Sequence, residues 1–385
     1  MRTINRFILL AISIKALSVQ MSPFIAAPPA TEVSTGFGII SRVGWSGKNI
    51  NENRANLDSL KIKSQNVSVI FWNVENLYDP YDDTTKLDDE FTAGGAKHWS
   101  YSKFSVKLNH VAKTLLAAGE WEAPVIVGLC EVENRYVLNK LIYETPLKPW
   151  RYKFIHHESP DLRGVDAAML YRPSAFKVLS SHSIAIRYPF DTISQTREIL
   201  MVKGILFKCD TLTLFINHWP SRRGGNLVSQ PRRNYVASVL RRLVDSIQDK
   251  QPKTNILIMG DFNDEPTNES LSKILTANND TVPFQEKTLY NLMGIRNKTH
   301  PEGTLKYRDQ WSTFDQFVVS GVLMKGLAGI SAGVRNVRIF RSSFLLEDDD
   351  SYFGEKLNRT YSGPKYHGGF SDHLPVVLEI QIAKP

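Results

Sequence analysis

Cysteine is almost missing. Cys130 and Cys209 are the only two in 385 residues, which excludes a fold stapled by a disulfide framework. Cys130 closes an apolar run and reads as a buried thiol. After the first thirty positions no apolar run reaches the roughly 18 residues of a membrane span. Charge of one sign is not dominant either: 47 Lys and Arg face 39 Asp and Glu, a net +8. With 42% apolar and 22% charged residues, disordered and fibrous classes are excluded. No internal repeat of fixed period is visible. What remains is a chain long enough to bury a large core, as two or three domains or as one large α/β fold.

The basic excess is local. Residues 1–30 carry Arg2, Arg6 and Lys15 and no acid. Between Asn217 and Asn255, eight cations stand against Asp245 and Asp249, so attraction for anions is regional. The N-terminus reads as an export signal: Arg2 and Arg6 precede an apolar stretch broken by Lys15, and small residues follow at Ala26, Ala27 and Ala30. Residues 1–30 are therefore expected to be a signal peptide, 31–65 a leader and 66–385 the working domain. The expected location is periplasmic or extracellular, with no membrane span in the mature chain.

From about residue 66, strand-like runs occur at Val67–Val74, Val125–Cys130, Asp166–Tyr171, Leu200–Phe207, Leu212–Asn217, Asn255–Met259, Phe314–Val319 and Val376–Ile382. Helical periodicity covers Phe104 to Leu116 and Arg232 to Asp249, the second with Pro231 near its start. Adjacent strands between Asp166 and Asn217 predict a mixed rather than a purely parallel sheet.

Several strands end alike. Asn73-Val74-Glu75-Asn76 closes one, Glu131-Val132-Glu133-Asn134 another, then Asn217-His218 and Asp261-Phe262-Asn263. Asp315 opens a strand, and Ser371-Asp372-His373 precedes the last. A single Asp-x-Asn is an ordinary turn. Taken together, Asn73, Glu75, Glu131, Asp261, Asn263 and Asp372 would supply hard oxygen ligands for Mg²⁺, Mn²⁺ or Ca²⁺. So many carboxylates in one pocket need a divalent cation to stay ionised. Two histidines would add proton transfer near neutral pH. Arg222 and Arg223 precede Gly224-Gly225, where a backbone can approach a phosphate and Arg offers a fork. Arg232 and Arg233 are expected in the first turn of the following helix, which favours anions. Arg163, in a turn before a strand, is a weaker candidate for substrate contact. The acidic stretch Asp79–Glu90 matches no EF-hand and reads as a solvated loop.

In their order, Asn-x-Glu, a strand-terminal Glu, Asn-His, Gly-Asp-Phe-Asn, Asp-x-Phe and Ser-Asp-His resemble the endonuclease/exonuclease/phosphatase superfamily over residues 66–382. This is the fold of deoxyribonuclease I, exonuclease III, neutral sphingomyelinases and inositol polyphosphate 5-phosphatases. FWNVENLYD, GLCEVEN, RGVDAAMLYR, NHWPSRRGG and GGFSDHLPVV look like its bacterial secreted branch. The resemblance implies a four-layer α/β sandwich, two mixed β-sheets face to face with helices outside. It implies metal ligation by Glu131 with Asn73, Glu75 and Asp372, Mg²⁺ being the expected ion. Asp261 and Asn263 would position the scissile phosphate and the attacking water, and Asp315 would orient His373. His218 would protonate the leaving oxygen or bind the phosphate, with Asn217 beside it. The tyrosine-bearing motif of exonuclease III-like repair enzymes is absent.

The expected function is a divalent-metal-dependent phosphoesterase, first of all an endonuclease, acting as a monomer without a stable protein partner. The alternative is a phosphatase or phosphodiesterase of small or lipid phosphates such as inositol phosphates or sphingomyelin. The third reading is a binding module on the same scaffold.

Overall fold

A computed structural model describes residues 65–382; the expected signal peptide and all but the last residue of the leader lie outside the described residues. Two large mixed sheets form the body. The first contains β1 (Gln65–Leu77), β2 (Ile126–Val132), β3 (Lys153–His156) and β4 (Asp166–Tyr171), with the last strand, Val376–Ile382, beyond β1. The second runs from β5 (Phe176–Ile184) through β6 (Ile199–Leu206), β7 (Asp210–His218) and β8 (Asn255–Asp261) to the strand Asp315–Ser320. β1 pairs with β2 in parallel, as does β7 with β8; the flanking strands Val376–Ile382 and Asp315–Ser320 run antiparallel.

The two-residue period of β8 shows why the sheets stack. Leu257 and Met259 face the core between the sheets, while Ile256 and Ile258 face the helix Asn226–Lys250 through its Val236, Leu240 and Val244. Both faces of the strand are dry, so it reads as an unbroken apolar run. Gly128 of β2 lies directly opposite Met259, whose side chain is 3.0 Å from where a Cβ would stand. Burial of each such aliphatic side chain contributes about 1.5–3 kcal/mol. On the far side, the helix Tyr101–Ala118 lays Phe104, Leu108, Val111 and Leu115 into the core beneath β1. The four expected layers are therefore present.

Two expectations are corrected. The long helix begins at Asn226, after Gly225 at φ 105°, and encloses Pro231. Arg232 and Arg233 consequently lie beyond its first turn, and neither is free for an anion. Arg232 pairs with Asp191 at 2.6 Å, and Arg233 is buried with Nε 2.8 Å from Asp264. The helix Arg135–Tyr143 also went unanticipated, because Asn134 belongs to it as its cap: its side chain accepts from Val137 N. The acidic stretch from Asp79 is partly internal. Asp79 and Asp88 are buried, and each accepts a hydrogen bond, from Asn134 and from the Asp83 N–H respectively.

Candidate active site

Strand direction brings the scattered motifs together. β1, β2, β7 and β8 all end at one edge of the sandwich, and the antiparallel strands Asp315–Ser320 and Val376–Ile382 both start there. Register fixes the neighbours: Asn73 opposite Cys130, His218 opposite Asp261, and Asp261 opposite Asp315. Ser371 Oγ donates to Asn73 O at 2.7 Å and Trp72 Nε1 to His373 O at 2.8 Å, which seats the Ser-Asp-His turn against β1.

The backbone at this edge is re-aimed by bulges. Pairing slips after Asn73 and after Cys130, and Glu75, Asn76, Glu131 and Asn263 adopt φ between 51° and 62°. Such conformations cost about 1–3 kcal/mol each and persist where surrounding structure enforces them.

Asp261 is the centre. Its Oδ2 accepts from Asn73 Nδ2 at 3.1 Å and lies 3.8 Å from both His218 Nε2 and His373 Nε2. Its Oδ1 accepts from Asn263 N at 3.0 Å. His373 Nδ1 is 2.7 Å from Asp315 Oδ2. Glu131 closes the other side: Oε2 accepts from Asn76 N at 2.9 Å, while Oε1 stands 3.8 Å from His218 Nε2 and from Arg163 Nη1, outside hydrogen-bond reach.

The two histidines differ in proton affinity. Burial and the cations Arg197, Arg163 and His373 push His218 well below the ordinary imidazole range. Burial also pulls on His373, but the carboxylates of Asp315 and Asp261 outweigh it and hold that imidazole well above. Burial, against the pull of His373, raises Asp261 to about 6. The edge therefore holds one neutral and one cationic imidazole around a single carboxylate, an arrangement able to accept, hold and return a proton.

The donor set fits a hard divalent cation. Glu131 presents an oxygen that no nearby cation bonds, with the Asn73 amide beside it, and these are the ligand types Mg²⁺, Mn²⁺ and Ca²⁺ take. Asp261, Asp315 and His373 also crowd within ligand distance of one another, but the His373–Asp315 bond already occupies that pair.

The structure gathers Asn73, Glu131, Arg163, His218, Asp261, Asn263, Asp315 and His373. Four expected residues are engaged elsewhere. Asn217 is buried, its amide donating to Phe215 O and Met259 O and accepting from Trp219 Nε1, so it faces no substrate. Arg222 is spent on Asn263 O, Asp264 and Asn268 and stacks on Phe314, so it braces the loop after β8. Glu75 turns away from Glu131 to Arg359 and the Thr360 N–H, and Asp372 meets the same Arg359. Arg223 is exposed on the loop before the long helix. Arg359 itself and the buried Lys107 behind it were missed. Neither sits in a recognisable motif, and only the fold brings them to the site.

A sequence model of the Endonuclease/Exonuclease/phosphatase family matches residues 68–382. The chain belongs to that family. Comparison with curated proteins gives no match. Among solved structures, an endonuclease/exonuclease/phosphatase family protein from Bacteroides thetaiotaomicron is similar at TM-score 0.53 and 13% identity, covering 83% of this chain and 99% of that one. A mannosyl-6-phosphatase from the same organism gives TM-score 0.50 and 13% identity over 82% and 99%. A humanized TDP2 of D. rerio gives TM-score 0.50 and 16% identity over 82% and 98%. At these identities the likeness establishes the fold. Family membership makes the chain a metal-dependent hydrolase of phosphate esters. None of the described helices is long and apolar enough to cross a membrane.

Proposed function

We propose that this enzyme is an exported bacterial phosphodiesterase whose substrate is nucleic acid, cut internally with Mg²⁺ as the working ion. The observation that carries the reading is the meeting of His218 and His373, one neutral and one cationic, on the carboxylate of Asp261, with Glu131 alongside.

Glu131 and Asn73 would hold the divalent ion, which supplies charge neutralisation at the phosphate and at the departing oxygen. His373, oriented by Asp315, moves the proton at Nε2. Asp261 stands between that nitrogen and Asn263, where the attacking water is held. His218, neutral and enclosed, hydrogen-bonds the phosphate. Arg163, its side chain 39% exposed beside Glu131, reaches a non-bridging oxygen. Arg163, Arg223 and Arg359 lie on three separate loops, a spacing suited to a run of phosphates rather than to one.

One observation favours the second reading, small or lipid phosphates. A cavity of about 270 Å³ opens beside Asp372 with Lys306, Arg308, Lys356 and Arg359 on its walls, room for a compact anionic group. Supercoiled plasmid and a panel of sugar, inositol and lipid phosphates, each with Mg²⁺ and with EDTA, decide between them. Metal-dependent nicking supports the nuclease; intact plasmid with release of phosphate from a small ester replaces it with the alternative. N-terminal sequencing of the chain from a periplasmic fraction tests export and the cleavage point near Ala27 or Ala30, and gel filtration tests the monomer.

A further inference from the structure

Glu75 and Asp372 are the two expected metal ligands that the fold leaves on the far side of Asn73, and a guanidinium lies between them. Arg359 Nε is 3.1 Å from Glu75 Oε1, and its Nη2 lies 3.0 Å from the same oxygen and 2.9 Å from Asp372 Oδ2. The remaining Glu75 oxygen accepts from Thr360 N at 2.8 Å. Behind them the fully buried Lys107 bonds Thr360 Oγ1 and Phe370 O. Two carboxylates thus face two cations, and their charges cancel. A divalent ion added here would leave about two uncompensated positive charges in a largely enclosed place, a costly arrangement. On the other side, Glu131 Oε1 has no cation within bonding distance. The Arg359 side chain is 46% exposed and borders a cavity on either side.

Resting on the reading of a metal-dependent phosphoesterase, we propose that Arg359 is a fixed cation in the half of the site where Glu75 and Asp372 would otherwise take a second ion. The enzyme then binds one divalent ion, on the Glu131 side, and meets the substrate phosphate from the Glu75 side with a guanidinium. Arg359 is bidentate where an ion would be mobile, so it also fixes the phosphate's orientation.

Mn²⁺ titration of the full chain, freed of metal by EDTA and dialysis and followed by electron paramagnetic resonance, tests this without turnover. The expected result is one Mn²⁺ per chain. Glu131→Gln should weaken it at least tenfold, and Glu75→Gln by less than threefold. In Arg359→Met a second Mn²⁺ should bind, and it should disappear again in Arg359→Met/Glu75→Gln. Two ions on the unaltered chain would overturn the proposal, as would equal weakening by Glu75→Gln and Glu131→Gln, neither of which needs the Arg359 variant to fold. No Mn²⁺ binding at all would reject both this inference and the metal-dependent reading beneath it, so the two failures are distinguishable.

Discussion

His373 Nδ1 lies 2.7 Å from Asp315 Oδ2, and both side chains are almost wholly enclosed. The bond fixes the ring so that only Nε2 faces the site, and it stabilises the imidazolium. Asp315→Asn keeps the shape and removes the charge. Turnover should fall by ~10²–10⁴, the scale of a mis-set acid–base group, with a smaller change in KM. Steady-state kinetics checks this. The His373 imidazole resonances should titrate at lower pH in the variant.

Glu133 gives a pH dependence away from the reacting groups. Burial, opposed by the Asp79 N–H and reinforced by the charges of Asp79, Asp88 and Asp83, raises it from 4.5 to about 9. The unfolded chain releases that proton near 4.5, so between these values the native state binds more protons and stability falls as pH rises. Glu133→Gln removes this contribution and can still accept from Asp79 N–H. Its melting temperature should exceed that of the unaltered chain by a margin that grows from pH 5 to pH 9. A margin constant with pH in thermal melts would refute the assignment.

Asp264 is buried and held by two arginines, Arg233 Nε at 2.8 Å and Arg222 Nη2 at 3.0 Å. Arg233 is itself fully buried, so Arg233→Met leaves a carboxylate short of its main partner and should cost about 3–5 kcal/mol in denaturant unfolding. Arg222 is partly exposed, and Arg222→Met should cost clearly less. If Arg222 bound substrate as its sequence context suggests, its loss would instead raise KM with stability intact.

Much of this was legible in the chain. β4 and the last strand lie where their apolar runs begin and end, because strands buried on both faces leave no ambiguity of period. Glu131, His218, Asp261, Asp315 and His373 could be named because each sits at a strand end, and strand direction does the rest. What failed was reading charge as availability. Arg222, Arg232 and Arg233 look like an anion site in one dimension, yet each has an acid waiting between 27 and 42 positions away in either direction. Asn217 sits in a motif but its amide is consumed by the backbone of its own sheet. Arg359 has no local signal at all; its partners Glu75 and Asp372 meet it only when the first and last strands pair.

Ligand linkage offers a test of the metal site that is independent of turnover. A divalent ion that binds the folded chain alone stabilises it by RT ln(1 + [L]/Kd), about 2.7 kcal/mol at a hundredfold excess over Kd. For a domain of this size that is a rise of roughly 5–10 °C in melting temperature. Mg²⁺ or Mn²⁺ should therefore raise the melting temperature of EDTA-treated protein, and EDTA should return it. Glu131→Gln should lose most of that increment while melting near the unaltered metal-free chain, because Gln can still accept from Asn76 N–H. Asn217→Ala should keep the increment although its own stability drops, since three internal hydrogen bonds are lost. A melting temperature indifferent to the ion in the unaltered chain, or an increment that survives in Glu131→Gln, would place the cation elsewhere than beside Glu131.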